Sequence, residues 1–165
     1  MSLFIIFLIF SYGSLAGYLV HLLLHNKLVG RFAKDHTAHH NLYPIDDFIS
    51  NKYRSAGGRA STFVFVPIIT CAMALLCIPL WFLTHAWWVF AMVIIEGIFV
   101  GWLNDYIHEV IHLKKHWLHK YKWFQKLKYI HILHHKYPHK NHGIIWFMPD
   151  KLFGTFKYDN HNYPV

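Results

Sequence analysis

Long apolar runs alternate along this chain with segments crowded by basic, aromatic and histidine residues. The first run, SLFIIFLIFSYGSLAGYLV over residues 2–20, carries no charged side chain. A second covers 61–83 and a third 85–107, with only a tight turn at Thr84 between them. About 20 predominantly apolar residues cross a bilayer core as a helix, so each run predicts a transmembrane helix. The first has neither a basic start nor a small-residue cleavage site, and is expected to be a span and not a removed leader. Pro67 and Pro79 are expected to bend the second. Trp81, Trp87, Trp88 and Trp102 fall toward span ends, as in an interfacial aromatic belt.

The segments between and after the runs read differently. Residues 116–135 mix basic and aromatic side chains without a continuous apolar run, which suits a helix lying in the headgroup layer. The aromatic tail, broken by Pro149 and Gly154, predicts a lid or re-entrant element at the same boundary. The expected architecture is all-α. It is a single integral membrane domain over 1–165, with about three transmembrane helices and a cap of shorter interfacial helices.

Charge orients this arrangement. Of the 16 Lys and Arg, Lys27, Arg31, Lys34, Lys52, Arg54 and Arg59 lie between the first and second runs, and the rest follow the third, from Lys114 to Lys157. The positive-inside rule then places the N-terminus outside and segments 21–60 and 108–165 in the cytoplasm. The net charge of +8 is thereby a matter of topology, and no nucleic-acid partner is expected. Hydrophobic residues at 55% and charged residues at 15% exclude an ordinary soluble domain, where charge is nearer 25%. Cys71 and Cys77 would project from different sides of one helix, and no CxxC motif occurs, so neither a disulfide nor a cysteine metal site is expected.

Histidine carries the chemistry. Ten of the 16 histidines fall into four boxes on the basic side of the map. HLLLH places His21 and His25 at i, i+4, and HEVIH does the same for His108 and His112. HTAHH supplies His36, His39 and His40, and HILHH supplies His131, His134 and His135. Residues at i, i+3 and i+4 share a helix face, so a pair can grip one metal and a triplet can serve two adjacent ones. Ten imidazoles suit two metals with four or five nitrogens each. Imidazole accepts iron, zinc, copper or nickel, and spacing alone does not choose. His142 is a further candidate ligand or active-site group. Asp35, Asp105 and Glu109 are placed either to accept from ligand imidazoles or to cap helices. Gly17, with Ser14, precedes His21 at helical spacing; Gly97, Gly101 and Asn104 precede His108 in the same way. Such stripes let the first and third spans pack closely, or form the floor of a lipid-tail groove.

The order HxxxH, HxxHH, HxxxH, HxxHH resembles the fatty acid hydroxylase superfamily, which includes sterol desaturase-like and carotene hydroxylase-like enzymes. Asn141 to Gly143 (NHG) is similar to the Asn-aromatic-Gly that follows the last box there, with His142 in the aromatic position. PDKLFGTF, residues 149–156, is similar to the family's tail signature. The resemblance implies a non-haem di-iron centre, with zinc or another divalent metal able to occupy it in a preparation. It also implies O2 as co-substrate and hydroxylation or desaturation of a lipid C–H bond. The ten box histidines would be the ligands, and Asn141 and His142 active-site groups. Electrons would come from a separate donor, a ferredoxin or a b-type cytochrome with its reductase. Two other readings stand beside this one. Carotenoid ring hydroxylation is the alternative within the enzyme class, and a non-catalytic histidine-rich protein that binds or transports metal is the alternative outside it. Oligomeric state is not legible.

Overall fold

The computed structural model describes residues 3–42 and 65–159. Lys52, Arg54, Arg59 and the first residues of the second apolar run lie outside them. Among the described residues every regular element is helical: α1 (Leu3–Leu24), α2 (Arg31–Leu42), α3 (Phe65–Thr84), α4 (Trp87–Ile111), α5 (Lys122–Lys136) and α6 (Met148–Leu152). Ile6–Leu24 and Trp87–Ile111 are long and apolar enough to cross a membrane, and Phe65–Leu75 is a shorter apolar stretch.

Both crossing helices run past the apolar runs, as the helical spacing of the histidine pairs expects. The apolar runs stop before the first histidine pair and at residue 107, yet α1 continues through His21 and α4 through His108. An imidazole facing another imidazole is not exposed to lipid, so these histidines add a helical turn instead of ending one. Asn26 and Gly30 then reverse the chain. The Asn26 side chain accepts from the Leu28 amide at 3.0 Å, and Gly30 has φ 58°, a left-handed value that glycine takes without strain. After this turn α2 folds back over the end of α1.

α3 and α4 form the most extensive pair, with α1 against both. α3 begins at the histidine end, where both Asp105 carboxylate oxygens accept from its first amides: Phe65 N at 3.1 Å and Val66 N at 3.0 Å. Lipid offers little hydrophobic drive between helices, so close van der Waals contact must hold them. A Cβ on Gly101 would lie 2.6 Å from Val66 Cα, and one on Gly97 would lie 2.9 Å from Met73 Cβ. These glycines therefore seat α3 and do not floor a groove. Gly17 and Asn104 meet each other across α1 and α4, with the Asn104 amide about 3.5 Å from a Cβ built on Gly17. All four are packing positions, which corrects the groove reading of the stripes. Gly101→Ala pushes a methyl into backbone, and overpacking of this kind costs about 1–3 kcal/mol. Thermal unfolding in detergent should show the loss; an unchanged midpoint would mean α3 is not seated there.

The tail closes the bundle from α1's side. Trp146 packs on Phe7 and Phe10 with ring centroids 6.2 Å apart in each case, and Phe153 stacks on Tyr18 at 5.4 Å. The backbone therefore runs along α1 from His142 to Trp146 and comes back to Tyr18 at Phe153.

Candidate metal centre

All ten box histidines lie at the end of the bundle where α1 and α4 finish. They form two groups of five, in each of which the ring nitrogens lie within 4.8 Å of one another. His21, His25, His36, His40 and His134 make the α1 cluster; His39, His108, His112, His131 and His135 make the α4 cluster. Each triplet is divided. α2 sends His36 and His40 to the α1 cluster and His39 to the other. α5 sends His131 and His135 to the α4 cluster and returns His134. The clusters adjoin, with His40 and His135 stacked at 4.1 Å between ring centroids.

Backbone carbonyls set the tautomers. His21 Nδ1–H donates to the His142 carbonyl and His134 Nδ1–H donates to the Lys140 carbonyl, both at 2.7 Å. With the proton held at Nδ1, Nε2 keeps its lone pair for a metal. His25 and His134 bring Nε2 atoms to 3.1 Å, His36 and His25 to 3.0 Å, and His40 and His36 to 3.1 Å. In the α4 cluster His131 Nε2 lies 3.1 Å from both His112 and His135 Nε2. A ring nitrogen has one in-plane position, either proton or lone pair. His36 and His131 thus cannot serve both neighbours by ordinary hydrogen bonding. Nitrogens about 2.1 Å from a shared metal and at right angles to one another lie roughly 3.0 Å apart, which matches this spacing. His21 Nε2 and both ring nitrogens of His108 are buried without a hydrogen-bond partner among the described residues. The donor set fits two cations of the imidazole-binding kind.

Burial keeps the imidazoles neutral. It pulls His25 down from 6.5 to about 4 and His40 to about 2, with neighbouring imidazoles adding to the effect. His36, His112, His131 and His134 fall well below the ordinary value for the same reasons. Lone pairs are therefore available at neutral pH. Unfolded, these histidines bind protons below about 6.5; folded, they resist until much lower pH. The unfolded state then binds more protons across that window, so stability falls as pH drops. The metal-free protein should lose thermal stability from pH 6.5 toward pH 4, as circular dichroism melts would record; a flat profile would contradict the neutral clusters.

Three residues expected at the site do other work. Asp35 pairs with Arg31 at 3.5 Å, one turn back on the outer face of α2, so it serves helix and solvent and not an imidazole. Asp105 holds the N-terminus of α3, the capping alternative. The Asn141 side chain is occupied by backbone: its amide donates to the Ile130 and Lys157 carbonyls, and its oxygen accepts from Lys157 N at 2.7 Å. It clips the turn after α5 to the returning tail, and its positive φ of 56° is one that asparagine tolerates. Glu109 is buried one residue beyond His108. His116 and His119 are structural, His119 Nε2–H donating to the Val110 carbonyl at 3.1 Å.

Sequence reading gave Asp150 no role, yet it is fully buried. Its carboxylate accepts from His142 N at 2.8 Å, Gly143 N at 2.7 Å and Thr155 Oγ1 at 2.8 Å. It thus fixes the carbonyl that orients His21. A Cβ on Gly143 would lie 2.5 Å from the Trp146 carbonyl and 2.7 Å from Asp150 Oδ2, which explains the glycine. The advance signal was its place in the 149–156 stretch that is similar to the family's tail signature. His142 stands beside the α1 cluster, with ring centroids 5.4–5.8 Å from those of His134, His25 and His21.

No curated protein and no solved structure matches the chain. The fatty acid hydroxylase family model matches residues 4–155, a stretch that begins in α1, takes in every box histidine and ends at the Thr155 contact with Asp150. By that match the chain belongs to the fatty acid hydroxylase family.

Proposed function

We propose that this protein is a membrane-bound non-haem di-iron oxygenase that hydroxylates, or desaturates, a C–H bond of a lipid with O2. The observation that carries the reading is the pair of adjoining five-imidazole clusters, each assembled from α2, α5 and one apolar helix. With two irons bound, the centre would supply the activation of O2 that such a reaction needs. The chain's own residues hold and orient. Carbonyls of His142 and Lys140 aim two of the imidazoles, and Asp150 rigidifies the turn behind them. Complete burial of the α4 cluster limits water there.

The membrane setting is supported by large exposed apolar side chains on all three long helices: Phe7 and Leu23 on α1, Leu75 and Phe82 on α3, Ile95 and Phe99 on α4. Facing water they would form a patch far beyond what monomeric soluble proteins carry; facing lipid they are ordinary. We read α3 as the third span on that basis. The one-sided lysines and arginines support an orientation with the N-terminus outside and the clusters and C-terminus in the cytoplasm. The same basic surface suits an acidic external electron donor of the ferredoxin or b-type cytochrome kind. A transporter would place its ligands near the midplane, whereas these sit at helix ends.

Metal analysis of purified protein should find about two irons per chain, and lipid mass spectrometry of expressing cells should find a product carrying an added oxygen or a new double bond. Iron-loaded protein that alters no lipid in the presence of a working reductant would sink the reading.

A further inference from the structure

Among the described residues Tyr18 is the one tyrosine or tryptophan that is buried, at 2% exposed. It stands three residues before His21 on α1, with its ring edge-on to that of His142 at 5.7 Å between centroids. His142 in turn lies 5.4–5.8 Å from the rings of His134, His25 and His21. One imidazole therefore separates this phenol from three members of the α1 cluster. Phe153 stacks on Tyr18 at 5.4 Å and is itself 59% exposed, so it covers the phenol from outside. The phenol oxygen lies 3.2 Å from Thr155 Oγ1, which lies 2.8 Å from Asp150 Oδ1. A carboxylate only accepts, and a threonine hydroxyl has one proton. Thr155 thus donates to Asp150 and accepts from Tyr18, giving a directed chain from the phenol to a fully buried carboxylate. Phenylalanine would make the same ring contacts; only the hydroxyl needs the chain.

We propose that Tyr18 is a redox-active residue, which gives one electron to the metal centre when O2 or peroxide has oxidised that centre and no lipid is in place to react. The inference rests on the oxygenase reading above. Tyr18 loses the electron, the centre gains it, and the phenol O–H bond breaks. The proton passes to Thr155 Oγ1 while Thr155's own proton passes to Asp150 Oδ1, both within the roughly 2.6–3.2 Å suited to proton transfer. A neutral tyrosyl radical remains, covered by Phe153. One electron from the external donor and the returning proton restore the phenol. Without an acceptor the oxidised phenol would be a buried, unpaired cation, which is costly; the Thr155–Asp150 chain removes that charge. The effect is to spare the imidazoles, the oxidisable groups nearest the metals. Tyr18 stands at the cluster that is less enclosed: His25 and His40 are only partly buried, whereas all five histidines of the α4 cluster are buried.

The test is freeze-quench EPR of the iron-loaded protein in detergent, without lipid, after mixing with hydrogen peroxide. The wild type is expected to give an organic radical whose spectrum narrows when the protein is made with ring-deuterated tyrosine. Tyr18→Phe, which keeps the ring contacts, should retain both irons and lose that signal. Its histidines should be oxidised instead, seen by mass spectrometry as added oxygen in peptides covering residues 21–25 and 131–142. Thr155→Val should slow radical formation about tenfold, the rate equivalent of one hydrogen bond. It should also shift the high-field spectrum, which reports the hydrogen bond to the phenoxyl oxygen. A wild type that forms no tyrosyl radical, or Tyr18→Phe that forms the same one, overturns the proposal. Unchanged rate and spectrum in Thr155→Val remove the proton relay. A radical at Tyr18 with no lipid oxidised under a working reductant would refute the oxygenase reading alone, and lipid oxidation with no tyrosyl radical would refute the role of Tyr18 alone.

Discussion

His39→Ala is expected to strip the metal from the α4 cluster and leave that of the α1 cluster, although both its boxed neighbours belong to the latter. His134→Ala should do the reverse. Each single variant should retain about one metal per chain by elemental analysis. Pairing His39→Ala with His108→Ala removes two ligands of one cluster and should cost no further metal. Pairing it with His134→Ala breaks both clusters and should leave the protein metal-free. Non-additivity within a cluster and additivity between clusters is the pattern expected of ligands acting as units. Product formation should fall at least ~100-fold in every case, beyond the roughly 10–100-fold typical of losing an outer-shell partner. If His39→Ala and His36→Ala proved to empty the same cluster, the crossed arrangement would be wrong.

Asp150→Asn should be the most damaging conservative change outside the histidines. Its two oxygens accept from the amides of His142 and Gly143 and from the Thr155 hydroxyl. An asparagine keeps one acceptor and turns its NH2 toward an N–H, stranding a buried donor. The expected cost is about 2–4 kcal/mol, or a fall in Tm of roughly 5–15 °C for a chain of this size. Because the His142 carbonyl orients His21, metal affinity should weaken as well, by about 10–100-fold. Melting and metal titration of the same preparation separate the two effects. A variant with wild-type Tm and affinity would show that the tail knot supports neither fold nor site.

How much of this was legible beforehand differs residue by residue. The triplets announced a shared helical stripe, and their crossing was latent in the geometry. At 100° per residue, His40 lies 40° to one side of His36 and His39 lies 60° to the other, so a triplet can straddle two sites. Which side faces which partner depends on how α2 folds back at Gly30 and where α5 lies, and no spacing within the box encodes that. The carboxylates were harder still. Asp35 and Asp105 looked equally able to serve an imidazole, but Arg31 lies one turn from Asp35 and the first amides of α3 lie against Asp105. Asp150 and Asn141 earn their roles from backbone groups brought near by the returning tail. Backbone is the same at every position, so composition carries no trace of it.

By itself, the sequence determined the all-α class, the apolar helices, the four histidine boxes and, through their order, the family. These follow from periodicity and side-chain type, which act over a few residues. Only the tertiary structure decided that Gly97 and Gly101 seat α3, and that the triplets exchange members between two clusters. It also decided that a groove opens beside His25 of the α1 cluster. Each of these depends on the direction of a side chain relative to a segment far away in sequence, and that direction exists only once the helices have packed.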